Sequence, residues 1–151
     1  FYPLDRVLEW NRLYGKRGFS QYQCVLPLET SRQGIRRLLE RIAKSGEGSF
    51  LSTLKLFGRA RDTHPGLLSF PMEGYTLALD FPVKRSTLAL MKELDAIVVD
   101  CGGRLYLAKD ARAEPDMLAK GYPELPEFVR LRRESGAATK FQSALSRRLA
   151  L

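Results

Sequence analysis

Two helical stretches with one-sided apolar stripes are each flanked by short alternating segments, and that order limits the folds open to the chain. Thr30 to Lys44 places Ile35, Leu38, Leu39 and Ile42 on one helical face, with Arg36, Arg37, Glu40, Arg41 and Lys44 outside. Thr30 followed three residues later by Gln33 has the pattern of a capping box, and Ser45-Gly46 supplies a stop. The second helix, capped by Ser86, repeats the stripe with Leu90, Met91, Leu94, Ile97, Val98 and Cys101. Around the helices, Gln21 to Leu26, Phe50 to Phe57, Tyr75 to Phe81 and Arg104 to Arg112 have the alternation and β-formers of strands. The order β-α-β-β-α-β predicts an α+β, ferredoxin-like split βαβ fold: a four-stranded antiparallel sheet with two helices on one face. Pro115 suits the first turn of a further helix, and the basic stretch from Tyr122 onward is expected to form a helical C-terminal tail. The expected parts are a lead-in segment (1–19), a ferredoxin-like domain (20–112) and the tail (113–151).

Strand parity then sorts side chains between the two faces of the sheet. Tyr75, Leu77, Leu79 and Phe81 are expected under the helices, with Tyr22, Cys24 and Leu26 of the first strand and Ser52, Leu54 and Leu56 of the second. The opposite face collects Gln21, Gln23, Thr53, Lys55, Thr76, Ala78 and Asp80, joined by Lys109 from the end of the fourth strand. It is polar, with amides and two ammonium groups, and suits either a solvated sheet surface or the wall of a binding site. Tyr106 and Lys109 have opposite parity. Either Tyr106 is a core residue, or a bulge near the strand end re-aims one of the two.

The remaining features narrow the function class. At 151 residues the chain is large enough for one real core, and no apolar run approaches the ~18 residues of a membrane span. In the lead-in segment, Leu4, Val7, Leu8 and Asn11 can share one helical face beside Tyr2 and Trp10. The opening Phe1-Tyr2-Pro3, without an initiator Met, suggests a piece of a longer protein. Cys24 and Cys101 lack metal-ligand spacing and are expected to be free buried thiols. His64 is the single histidine, so neither a metal site nor a Ser-His-Asp mechanism is expected within the chain. A net charge of +8 favours anionic partners such as nucleic acid, phosphates, dinucleotide cofactors or acidic headgroups. A ferredoxin-like RNA-binding module is the alternative from a different class. Gly74-Tyr75-Thr76-Leu77-Ala78-Leu79-Asp80-Phe81 echoes its stacking strand, but the outward set is amide and ammonium rather than aromatic, so no nucleic-acid partner is expected.

An ordered set of short blocks spans nearly the whole chain: Phe1-Tyr2-Pro3-Leu4-Asp5, Trp10-Asn11-Arg12, Gly18-Phe19 with Gln21-Tyr22-Gln23, Lys55-Leu56-Phe57-Gly58, Leu68-Ser69-Phe70-Pro71, Asp80-Phe81-Pro82, and Gly102-Gly103-Arg104-Leu105-Tyr106 with Ala108-Lys109-Asp110. Together they resemble the C-terminal portion of the FAD-linked oxidases of the vanillyl-alcohol-oxidase superfamily. That resemblance implies an FAD-dependent oxidoreductase acting on the CH–OH group of a sugar-like substrate. The FAD would be bound mainly by an N-terminal domain outside this chain, which would itself be the substrate (cap) domain and inactive alone. Carried over by position, Lys109 would be catalytic and, with Tyr106, would touch FAD, which favours the bulge. Gln21, Gln23, Lys55, Thr76 and Ala78 would line the substrate site. Thr76 and Ala78 depart from the Asn and Cys of the family pattern, and Ala144 from its Asp. A polyprenyl-phosphoryl pentose, a sugar lactone, an aldose and a polyol all fit as substrate, and a partner reductase is compatible with the class. The expected location is cytoplasmic, peripheral at a membrane surface for a lipid-linked substrate.

Overall fold

A computed structural model of the chain describes residues 8–9, 12, 14–59 and 66–151. Leu8 and Glu9 lie in a turn. The rest of the helical face expected through Leu4, Val7 and Asn11, the aromatics Tyr2 and Trp10, and His64-Pro65 lie outside those residues. The elements are β1 (Phe19–Pro27), α1 (Leu28–Ser45), β2 (Ser52–Phe57), β3 (Gly74–Pro82), α2 (Arg85–Asp100), β4 (Arg104–Leu105), a 3₁₀ turn (Leu107–Lys109), and α3 (Pro115–Gly121), α4 (Leu125–Glu134), α5 (Ala137–Lys140) and α6 (Ala144–Arg148). The sheet is antiparallel in the order β2-β3-β1-β4. It is the α+β, ferredoxin-like arrangement that the element order predicted.

The core lies between the sheet and the helices. Tyr22, Cys24, Leu26, Leu77, Leu79, Phe81 and Leu105 meet Leu38 of α1 and Leu90, Met91, Leu94 and Val98 of α2. Met117 and Leu118 of α3, Tyr122 and Leu149 join the same cluster, so the C-terminal stretch helps to build this core. Tyr122 donates from its hydroxyl to the Leu105 carbonyl at 2.6 Å, and burial pushes its phenol up to about 12. Both cysteines are free and buried.

Four local expectations are corrected. No capping box opens α1: its N-cap is Pro27, and Thr30 instead donates its hydroxyl to the Cys101 carbonyl at 2.7 Å, tying α1 to the end of α2. Ser86 does not cap α2, whose N-cap is Lys84; its hydroxyl donates to Glu47 Oε1 at 2.6 Å. Leu54 and Leu56 have the helix-side parity but stay 52% and 58% exposed. The reason is position: α1 packs on β1 and β3, and α2 on β1 and β4, which leaves the edge strand β2 beyond the helices. Leu39, placed in the α1 stripe by spacing, is 48% exposed at the margin of the same shelter.

The fourth strand differs most. The stretch from Arg104 to Arg112 forms a ladder only at Arg104–Leu105, opposite Val25 and Cys24. Gly103 makes that approach possible, because a Cβ there would lie 2.4 Å from the Val25 carbonyl oxygen. Past Tyr106, whose N–H still donates to the Gln23 carbonyl at 2.8 Å, the backbone tightens into the 3₁₀ turn. The parity conflict between Tyr106 and Lys109 is therefore settled by neither option: the strand ends, and a helical turn re-aims the lysine.

Candidate functional site

The helix-free face is built by register. Lys55 lies opposite Thr76, and Thr76 opposite Val25; one step along, Thr53 lies opposite Ala78, and Ala78 opposite Gln23; at the far end Asp80 faces Gln21. The polar side chains of this face are tied to each other. Gln23 donates its amide to Thr76 Oγ1 at 3.1 Å, and the Thr76 hydroxyl donates to the Cys24 carbonyl at 2.8 Å. Gln21 donates its amide to Asp80 Oδ1 at 3.0 Å.

Two covers close the ends of the face and leave its middle open. At one end Phe70 stacks on Tyr106 (ring centroids 4.6 Å apart) and meets Phe57 edge-on (6.0 Å). Phe57 lies on the β2 edge of the sheet and Tyr106 just past the β4 edge, so Phe70 bridges the two edges at this end, where Val25 and Thr76 are 0% and 1% exposed. Arg104 fixes this cover by donating to the Ser69 carbonyl at 3.0 Å. At the other end Tyr14 stacks on Phe19, meets Phe50 edge-on and donates to the buried Asp80 at 3.4 Å. Burial, and then the Asp80 carboxylate, raise the Tyr14 phenol above its ordinary value. Between the covers, Thr53, Ala78, Gln21 and Gln23 remain half-buried, forming a polar trough.

A cation stands at each margin of that trough. Lys55 is exposed on the edge strand β2. Lys109 is half-buried and borders a crevice of about 10 Å³ with Gln21, Gln23 and Tyr106, room for about one water-sized group. The crevice exists because β4 stops early and leaves the Gln21–Tyr22 edge of β1 unpaired. Among the described residues neither ammonium has a hydrogen-bond or ion-pair partner. Three inter-strand spacings of about 4.8 Å put the two margins roughly 14 Å apart at the backbone.

The structure thus brings Gln21, Gln23, Tyr106 and Lys109 together, and sets Lys55 and Ala78 on the same face across β3. Thr76 shares the face but is buried, accepting from Gln23 and donating to the Cys24 carbonyl. Sequence reading missed Phe70 and Tyr14 as covers. Their blocks were visible, yet nothing local shows that a loop aromatic crosses a sheet. Among the described residues no group of His, Cys, Asp and Glu could hold a metal ion, and no helix is long and apolar enough to cross a membrane.

Over all 151 residues the chain is 40% identical to the decaprenylphosphoryl-beta-D-ribose oxidase of Mycolicibacterium smegmatis, covering 32% of that protein. The chain is similar to part of that oxidase from end to end. This likeness bears out the resemblance carried by the ordered blocks, and is consistent with a partial, C-terminal stretch of such an oxidase. A Streptomyces coelicolor protein named "Uncharacterized protein in mprA 5'region" is 37% identical over 147 residues, 96% of this chain and 39% of that protein. The chain thus spans 32% and 39% of the lengths of these two relatives. No protein-family model matches it.

Proposed function

We propose that this chain is the substrate-covering domain of a larger FAD-dependent oxidoreductase that oxidises a secondary alcohol of a sugar-like substrate. The observation that carries this reading is the pair of partnerless cations, Lys55 and Lys109, at opposite margins of one amide-lined trough. For the half-buried Lys109 an ammonium without a counter-ion is costly, and the cost is recovered when an anion or a developing oxyanion arrives; the exposed Lys55 adds positive charge at the opposite margin. The likeness to the mycobacterial oxidase supports a polyprenyl-phosphoryl pentose as the substrate, with a polyol or sugar lactone as the wider class.

Within this reading each side chain has a task. As the hydroxyl proton leaves to water, Lys109 donates from Nζ to the oxygen of the reacting group, where negative charge develops. Gln21 and Gln23 orient the sugar hydroxyls, and their mutual ties to Asp80 and Thr76 hold both amides in place. Lys55 holds the phosphate as a point charge on the opposite margin. Ala78, small and at the trough floor, leaves room for the sugar ring. Tyr106 and Lys109 fit contact with a flavin, since a partnerless ammonium beside it suits a group that gains negative charge. When bound, the flavin supplies the acceptor for the hydride, which none of the side chains of this chain can replace.

The proposed partner is the FAD-binding remainder of the protein. Phe141 is 73% exposed and Leu131 44%. Beside Phe141 runs an apolar groove of about 560 Å³ lined by Leu68, Leu107, Phe128, Leu145 and Leu151, a surface suited to a further domain. The proposed location is the cytoplasm, at a membrane surface where a lipid-linked substrate resides.

The test compares two alanine variants of the complete enzyme. Lys109→Ala is expected to slow single-turnover substrate oxidation at least ~100-fold, the size of losing one preorganised donor. Lys55→Ala is expected to weaken substrate binding while sparing the chemical step. An unchanged oxidation rate in Lys109→Ala would remove the lysine from the mechanism.

A further inference from the structure

The turn carrying Lys109 is fixed from behind by a distant part of the chain. Asp110 follows the lysine, and its carboxylate is only 5% exposed. Its Oδ1 accepts from the backbone N–H groups of Arg112 at 3.0 Å and Ala113 at 2.9 Å. Its Oδ2 accepts from Arg148 Nη2 at 2.8 Å, across 38 residues. Arg148 Nη1 also donates to the Ala113 carbonyl. The Asp110 carboxylate thus receives three N–H groups, and the loop is gripped at two points by one guanidinium. A second pair secures the same loop: Arg112 binds Asp95 of α2 through two contacts, at 2.6 and 2.7 Å, and Tyr22 donates to that carboxylate at 3.1 Å.

Lys109 takes no part in this network. Its nearest carboxylate in sequence is already occupied, and its ammonium is left without a partner among the described residues. The guanidinium gives one N–H to the Asp110 carboxylate and another to the Ala113 carbonyl, a two-point grip that the compact ammonium of a lysine does not reproduce.

We propose that Arg148 is a positioning residue for Lys109. By saturating Asp110 and anchoring the Ala113 carbonyl, it locks the exit of the 3₁₀ turn, holds Lys109 beside Gln21 and Gln23, and keeps its charge available to an incoming anion. Helix α6, far along the chain, is thereby coupled to the candidate site: α6 docked presents the cation, and α6 released frees it. The proposal rests on the reading that Lys109 faces the ligand, but the latch itself is tested without any turnover.

The experiment uses the 151-residue chain with its lysines converted to ¹³C-dimethyl-lysine, the signals of Lys55 and Lys109 being assigned by Lys→Arg substitution. Inorganic phosphate is the probe. In the unsubstituted chain the Lys109 signal is expected apart from those of exposed lysines and to move on phosphate addition. In Arg148→Met it collapses toward the exposed-lysine position and its phosphate affinity falls about tenfold, the loss of one favourable charged contact, while the Lys55 signal stays in place. Arg148→Lys restores part of the shift, an outcome that a merely structural arginine would not give. Should Arg148→Met unfold, Asp110→Asn, which keeps shape and removes the charge, makes the same measurement. A Lys109 signal unmoved by the substitutions overturns the latch. Full activity of the complete enzyme with Lys109→Ala overturns the catalytic reading and leaves the latch result standing.

Discussion

On the helix-covered face of the sheet, Tyr22, Cys24, Leu77, Leu79 and Phe81 pack into one continuous cluster with α1 and α2. One residue along the same strands, the opposite face carries Gln21, Gln23, Ala78 and Asp80. The covered face is held by apolar burial, which is non-directional and tolerates approximate fit. The other face is held by directional ties, Gln21 to Asp80 and Gln23 to Thr76, which fix the aim of individual side chains. The difference teaches how one fold separates the layer that stabilises it from the face that carries the candidate site. Burial beneath the helices supplies the free energy, and the hydrogen-bonded face spends part of it to keep the Gln21 and Gln23 amides oriented.

Four substitutions or conditions test that division, in falling order of effect. Leu94→Ala, at a fully buried α2 position, should cost about 2–5 kcal/mol in denaturant unfolding, because it removes transfer energy and leaves a cavity. A cost under about 1 kcal/mol would mean that the helix side is not the stabilising one. Asp80→Ala should cost about 1–3 kcal/mol by removing the buried carboxylate that accepts from Gln21 and Tyr14. It should also lower the Tyr14 phenol part of the way back in an absorbance titration, since burial, the larger cause, remains. Leu56→Lys should change stability by no more than about 0.5 kcal/mol, because β2 lies outside the helical shelter. A large loss there would place β2 in the covered layer.

The smallest effect is acidic. Glu47 is held below the ordinary carboxylate range by hydrogen bonds from Ser86 and then Lys84. Its folded value is lowered, so its contribution is complete above the ordinary value of 4.5 and is lost as pH falls through the lowered one. Thermal unfolding followed from pH 6 toward about pH 3 should show a shallower acid slope in Glu47→Gln. Equal slopes would mean that these contacts do not persist in solution.

Much of the fold was legible because it is written in local periodicity. The stripe Leu90, Met91, Leu94, Val98 and the alternation Tyr22, Cys24, Leu26 each name a buried face without reference to the rest of the chain. The lapses come where a partner decides. Thr30 has the right spacing for a cap, yet α1 already begins at Leu28 behind Pro27, and the Thr30 hydroxyl is left to donate to the Cys101 carbonyl. Leu54 and Leu56 alternate correctly, but alternation gives the side of the sheet and not whether a helix reaches that strand. The candidate site was legible as a face through Gln21, Gln23, Lys55 and Ala78. Its covers, Phe70 and Tyr14, and the Asp110–Arg148 tie join residues too far apart in sequence for any local pattern to pair them.

What the sequence alone determined is the order of the four strands and the two helices packed on them, and which alternate residues avoid the helical layer, because both follow from the geometry of a single backbone segment. Where β4 stops, which residues roof the sheet and what holds Lys109 were decided only by the tertiary structure. Those outcomes depend on competition among distant groups for the same carbonyls, carboxylates and space, and that competition is resolved only when the chain is folded.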